Sequence, residues 1–377
     1  MVTPSYKPAY VYGGPTRATA DLCENLVKVG HQVDVYTTVA NGETNLSVDK
    51  NKKYVIDGVQ VQYHHRWTKD HSNLSPRLLL NVFRDVRKFD AIHLISWWNL
   101  VTMPALLICI LRRVRPVLSV HGTLSAYSFQ HRKSLIKRTF QNIIGKRLLS
   151  HAILHVTTEK EKDEVNAAVP HNRIALIPNF IFFPPLISTV SKDKSCFHLL
   201  FVGRLDPVKN VEFLIDLMNQ DWNFPIQLTI MGEGPDEYTA DLQQRANRND
   251  KVVWLGNLDG DDKWSTLANA DLLVLPSRTE NFGNVVIEAL SQGTPVLISD
   301  QVGLKDYVLK NNLGWVASTK TEEWKSILLS IWQNSEERER IRNEAPAIIK
   351  SDFEERNLVK KYMEVYEEVQ NGAWREK

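Results

Sequence analysis

Glu280 and Glu288 are separated by seven residues, with Phe282-Gly283-Asn284 between them. The apolar run Asp271-Leu272-Leu273-Val274-Leu275 comes just before, and a helix-like stretch from Val285 to Gln292 follows. A strand, a loop and a helix start in this order mark the ligand-binding edge of an open parallel sheet. The first amides of a helix lack intrahelical partners and stand at the positive end of its dipole, so they suit a phosphate. Two flanking carboxylates add acceptors for hydroxyl groups, so the ligand these residues fit is a phosphate that carries sugars. On spacing alone, an acidic helix start followed by a solvated glutamate explains the pair equally well.

Further groups of the same kind occur elsewhere. Gly203-Arg204-Leu205-Asp206-Pro207-Val208-Lys209-Asn210 follows the apolar segment Phe197–Val202. Arg204 offers a planar fork and Lys209 a mobile point charge, a combination that offsets a diphosphate. Gly13-Gly14 precedes Pro15-Thr16-Arg17 at a helix start, where glycine permits close backbone approach and proline suits the first helical position. His121-Gly122-Thr123 ends an apolar strand. Gly232-Glu233-Gly234-Pro235 reads as a tight strand-to-helix turn with mostly structural glycines and Pro235 at the first helical position. Asp259-Gly260-Asp261 has the form of a metal–diphosphate ligand, but it sits in a polar turn where acids suit a helix start. Ser125–Lys133 interleaves aromatics with cations, which fits either a sugar-and-anion contact or a solvated helix start. His64-His65 and the pair His151/His155 lack a metal-site pattern and read as structural.

The elements that position these groups alternate strand with helix along the chain, an α/β pattern with parallel sheets. Strands are expected near Val33–Thr38, Val59–His65, Asp90–Ile95, Val117–Val120, Ala152–Val156 and Ile174–Ile177. A second series starts at Phe197 and continues near Ile226–Met231, Val252–Leu255, Asp271–Leu275, Val296–Ser299 and Gly314–Val316. Pro184-Pro185 breaks regular structure between the two series. The expected organisation is a first domain over 1–179, a linker over 180–197, a second domain over 198–352 and a C-terminal helix within 353–377. Only Met1-Val2-Thr3 precede Pro4, less than a usual strand of about five residues; the expectation is that the chain lacks the start of its first strand.

The string from Pro276 to Glu288, with Gly203…Lys209 and Gly13-Gly14, resembles the retaining glycosyltransferases of family 4 (group 1), of the GT-B type. The resemblance covers essentially the whole chain. It implies two Rossmann-like domains facing across a cleft, with the last helix crossing back to the first domain. It implies catalytic roles for Glu280, His121, Lys209 and Arg204. Donor binding falls to Gly13, Gly14, Arg204, Lys209, Phe282, Gly283, Asn284, Val285 and Glu288, with Glu280 facing the sugar and Glu288 the ribose. His121 then positions a hydroxyl or stabilises developing charge rather than acting as a general base. Arg204 and Lys209 supply the charge that a metal would bring, so no metal and no cofactor are expected. The partners implied are a nucleotide-sugar donor and a glycan or lipid-diphosphate-linked acceptor, as in capsule, O-antigen or exopolysaccharide assembly. A soluble sugar-phosphate acceptor, or a non-catalytic nucleotide-sugar-binding protein, are the alternatives.

Charge is distributed unevenly. Residues 1–179 carry 24 Lys/Arg against 13 Asp/Glu, a balance of +11, whereas residues 180–377 carry 22 against 31, a balance of −9. No acid occurs from Ala91 to Thr158, where nine Lys/Arg stand. Such a half is expected to attract anionic lipid or polyphosphate, solubility and charge balance between the halves being the alternative, and the acidic second half with no recognition motif argues against nucleic acid. Three scattered cysteines, Cys23, Cys109 and Cys196, fit a reducing cytoplasmic setting. The start MVTPSYKPAY does not read as a signal peptide, and the apolar run Leu106–Leu111 is far too short to span a bilayer. A soluble or peripheral protein on the inner face of the membrane is expected.

Overall fold

A computed structural model describes every residue except 51, 71, 130–133, 171, 188–195, 247–248 and 372–377. Part of the expected 180–197 linker and of the Ser125–Lys133 segment therefore lies outside the described residues. The chain divides into two compact units: Met1–Phe180 with Glu355–Lys377, and Ile181–Glu354.

In the first unit, Val2 bridges in parallel to both Tyr36 and Leu94, joining two sets of strands into one sheet. On one side lie Asp34–Thr38, Val59–His64 and Lys53–Ile56; on the other lie His93–Ile95, Val117–Ser119, Ile153–Val156 and Ile174–Leu176. All named pairings are parallel except that of Lys53–Ile56 with Val59–His64. That antiparallel strand was not expected. Its signal was Asp57-Gly58, whose positive φ values of 50° and 81° form the two-residue turn that Asp-Gly favours in hairpins.

Apolar layers cover both faces of this sheet. One includes Leu78 and Val82 of the Pro76–Asp85 helix and Ala105, Leu106 and Cys109 of the Thr102–Leu111 helix. The other joins the Gly14–Lys28 helix to the C-terminal Glu355–Asn371 helix. The latter buries Leu358, Val359, Tyr362, Val365 and Tyr366, a single stripe at helical spacing. Before it, a helix runs from Ser335 to Asp352, through Pro346, and breaks at Phe353.

A polar chain fastens the C-terminal helix to the sheet. Tyr366 Oη lies 2.8 Å from His93 Nδ1, His93 Nε2 2.7 Å from Ser119 Oγ, and Ser119 Oγ 2.6 Å from His155 Nδ1. His155 Nε2 meets the Ile177 carbonyl at 2.9 Å. A carbonyl only accepts, so His155 donates from Nε2 and accepts at Nδ1. Every other proton then follows: Ser119 donates to His155, His93 donates to Ser119, and Tyr366 donates to His93. Both imidazoles are neutral. Burial holds the His155 pKa down to about 4, and burial with His155 nearby keeps that of His93 well below its usual value.

The second unit is a six-stranded parallel sheet. Its spatial order is Val252–Gly256, Ile226–Met231, Phe197–Val202, Leu272–Leu275, Val296–Ser299 and Gly314–Ala317. In chain order this is 3-2-1-4-5-6, the doubly wound arrangement. The order reverses between Phe197–Val202 and Leu272–Leu275, so the loops that follow these strands diverge and leave a crevice.

The relay carries a prediction. Unfolded histidines titrate near 6.5, so between about 6.5 and about 4 the unfolded chain binds more protons than the folded one. Stability should fall as pH drops through that window, with His155 alone contributing roughly 3 kcal/mol by its lower end. Tyr366→Phe should cost about 1 kcal/mol at neutral pH by leaving His93 Nδ1 without a donor. Urea unfolding of both proteins between pH 7 and pH 4 measures the two effects.

Candidate active site

The two loops at the crevice of the second unit carry most of the expected groups. Asp206 Oδ1 accepts from the Val208 amide at 3.0 Å and caps the Pro207–Lys209 turn. Asn210, left-handed at φ 58°, ends it. Asn210 donates to the Pro276 carbonyl at 3.2 Å and accepts from Nε and Nη2 of Arg278, both at 3.2 Å. Arg278 also donates to Glu212 at 2.7 Å, and its backbone amide donates to the Val208 carbonyl at 2.8 Å. Asn210 and Arg278, neither singled out from the sequence, thus sew the loop after one switch-point strand to the loop after the other. Above this seam the Lys209 ammonium meets the Glu280 carboxylate in an ion pair. Arg204 is 63% exposed and reaches Asp206 at 3.3 Å.

Backbone contact fixes the neighbouring turn. The Gly203 amide donates to the Met231 carbonyl and the Gly232 amide to the Gly256 carbonyl, at 3.0 and 2.7 Å. A Cβ on Gly232 would fall 1.8 Å from the Gly203 oxygen, so only glycine lets the two loops touch. Pro235 stands just before the Asp236–Ala246 helix, one position earlier than expected.

Glu280 is held through its backbone. Its amide donates to the Gln301 carbonyl at 3.2 Å and its carbonyl accepts from the Gly303 amide at 2.9 Å. Phe282 was expected to bind the donor, but its side chain is 3% exposed and sits edge-on to Phe353 in the core. It anchors the loop, and only its backbone can line a ligand. Gly283, at φ 95°, caps the Asn284–Ser291 helix and turns its first amides, including those of Asn284 and Val285, to the crevice end of the sheet. Glu288 lies on this helix and pairs with Lys263 at 2.8 Å, both side chains being 15% exposed. Lys263 was missed from sequence because its helix, Gly260–Asn269, packs alongside only in the tertiary fold. Asp259 and Asp261 lie at the start of that same helix, with Asp259 accepting from Asn257 at 3.2 Å.

In the first unit, Gly13 (φ 70°) caps the Gly14–Lys28 helix. A Cβ at Gly14 would meet nothing within 4 Å, so the protein's own packing does not require glycine there. His121 follows the Val117–Ser119 strand in the left-handed region at φ 46°. Burial, and then His155, hold its pKa down to about 3. The imidazole is neutral at pH 7 and offers one donor and one acceptor but no positive charge. Its loop is fixed by Glu161, another residue the sequence did not expose. Glu161 is 2% exposed and accepts from the Gly122 amide at 2.6 Å and from the amide and hydroxyl of Thr157 at 2.7 and 2.9 Å.

Residues 188–347 match the family described as Glycosyl transferases group 1, and residues 12–181 match that described as Glycosyltransferase Family 4. The chain belongs to the group 1 glycosyltransferases, family 4-like and of the GT-B fold. An uncharacterized glycosyltransferase of Methanocaldococcus jannaschii is 28% identical over 393 residues, covering 97% of both chains. Among solved structures, sucrose-phosphate synthase from Thermosynechococcus elongatus superposes with a TM-score of 0.75 at 18% identity, over 99% of each chain. Anabaena HepE in complex with UDP and glucose gives 0.71 at 18% identity, over 97% of this chain and 98% of that one. These two likenesses speak to the fold.

For this glycosyltransferase, Phe282→Ala should destabilise the second unit by about 3 kcal/mol through the cavity it leaves, whereas Phe282→Leu should cost much less. Glu161→Ala should remove the three hydrogen bonds that its carboxylate accepts in the first unit and cost about 3 kcal/mol. Denaturant unfolding of the three variants reads both expectations.

Proposed function

We propose that this glycosyltransferase moves a sugar from a nucleotide-sugar to a glycan or lipid-linked acceptor, with retention at the anomeric carbon and without a metal or cofactor, in surface polysaccharide assembly. The carrying observation is the Lys209–Glu280 ion pair, whose two members come from opposite sides of the switch point and stand by the N-terminus of the Asn284–Ser291 helix. HepE, which shares the fold, was solved with UDP and glucose, which supports a nucleotide-sugar for this chain.

On this reading the donor diphosphate takes Lys209 from Glu280 and recruits the exposed Arg204. Glu280 is then free to accept from sugar hydroxyls, and Glu288, oriented by Lys263, accepts from the ribose. The bond from the anomeric carbon to the diphosphate oxygen breaks, and the acceptor oxygen bonds to the same face of that carbon. A phosphate oxygen of the leaving group takes the acceptor proton. Arg204, Lys209 and the amides of Asn284 and Val285 stabilise the departing charge. In the first unit, Gly13 and Gly14 leave room for a ligand, and the neutral His121 orients a hydroxyl. The basic stretch of that unit supports a lipid-linked, anionic acceptor at the membrane face.

Thermal shift with UDP-, GDP- and ADP-sugars should show selective stabilisation by one nucleotide; no response to any would remove the reading. With the donor so identified, Lys209→Ala should lower kcat by about 10²- to 10³-fold, and Glu288→Ala should chiefly raise the nucleotide dissociation constant. Excess chelator should leave activity intact.

A further inference from the structure

The Pro76–Asp85 and Thr102–Leu111 helices lie side by side and run in the same direction. The Leu100 amide donates to the Ser72 carbonyl at 2.7 Å just before their first turns, and Arg87 Nε donates to the Arg112 carbonyl at 2.9 Å just after their last. Each helix turns one apolar face into the core and leaves a second face uncovered. On the first, Leu80 and Phe83 are 65% and 43% exposed. On the second, Leu107 and Leu111, one turn apart, are 45% and 65% exposed. The Arg112 guanidinium lies 4.9 Å over the Phe83 ring and joins the two uncovered faces into one plate.

The sequence that carries these side chains is basic. From Pro76 to Pro116 there are seven Lys/Arg and two Asp/Glu. One of the acids, Asp85, is buried and already engaged by Arg84, Lys88 and the Tyr36 hydroxyl. Scattered exposed leucines are ordinary, but a contiguous apolar plate rimmed by charge marks an interaction surface. Phosphate contacts from a nucleic acid would engage the cations and leave the leucines and Phe83 in water. A bilayer with anionic headgroups matches both components at once: leucine and phenylalanine enter the acyl boundary while arginines meet the phosphates.

We propose that this two-helix plate seats the protein on an anionic lipid surface. The first turns of both helices follow the carboxyl ends of the sheet strands, the edge that also carries His121. A lipid-linked acceptor would therefore be presented at that edge; this purpose rests on the proposed transfer to such an acceptor, whereas the membrane contact does not.

Flotation of the full chain with phosphatidylglycerol vesicles and with phosphatidylcholine vesicles, at low and high salt, tests the plate. The protein should float with phosphatidylglycerol, much less with phosphatidylcholine, and be released by salt. Leu107→Asp combined with Leu111→Asp should reduce partitioning about tenfold or more, with an unchanged thermal midpoint. Arg112→Gln combined with Arg113→Gln should reduce it by about fivefold per charge. Leu186→Asp combined with Leu309→Asp, exposed leucines of the second unit, should leave flotation intact. The plate is refuted if the wild type binds neither vesicle at low salt, or if the Leu107/Leu111 variant floats like the wild type. Conversion of a dimer to a monomer by that variant, without vesicle binding, would assign the plate to a second copy of the chain. Polyuridylate binding that displaces the vesicles would assign it to nucleic acid. Nucleotide stabilisation without vesicle binding removes the plate alone, and vesicle binding without nucleotide stabilisation removes the transferase reading alone.

Discussion

The reversal of strand order beside Phe197–Val202 is the constraint on which the second unit's chemistry depends. In a sheet wound in one direction only, successive loops leave the strand ends on the same side and close over them. Here the loop after Phe197–Val202 departs one way and the loop after Leu272–Leu275 the other. The opening between them needs a floor, which the Asn210–Arg278 hydrogen bonds supply. Only with that floor fixed can Lys209 and Glu280, 71 positions apart in the chain, approach as an ion pair.

The crevice carries paired charges rather than an open anion hole. Lys209 holds Glu280 and Lys263 holds Glu288, all four side chains largely shielded from solvent. Half-buried charges of one sign without partners would be costly, and each of these two carboxylates rests on a cation. Arg204 differs in being largely exposed, which leaves it able to reach a phosphate without breaking a buried contact. The first unit follows a contrasting plan. Its buried histidines are neutral and arranged donor to acceptor from Tyr366 to the Ile177 carbonyl. The buried Glu161 carboxylate accepts from two backbone amides and a hydroxyl, and these bonds tie it to the His121 loop.

The two designs explain where sequence reading succeeded. Strand positions followed from apolar runs and glycine or proline breaks, and they agree with the structure to within a few residues along most of the chain. The placement of Glu280, Lys209 and His121 in loops after strands was legible because each closely follows an apolar run, where a short-range pattern carries the information. The hairpin at Asp57-Gly58 was equally legible, and was passed over because the alternation of parallel strands dominated the reading. The buried position of the Phe282 ring was not legible, because a short pattern within a loop does not tell which side chain turns into the core.

What the sequence determined by itself was therefore the alternation of strands and helices, the loops that hold the candidate groups and the family the chain belongs to, since all are written in residues close together along the chain. What the tertiary structure decided was partnership. Lys263 for Glu288, Arg278 for Asn210, Glu161 for Gly122, and His93 with Tyr366 are pairings between segments 25 to 273 residues apart. No local pattern encodes such pairs, because an ion pair or a buried hydrogen bond depends on distance in space and on exclusion of water, and both are set only when the sheets have formed.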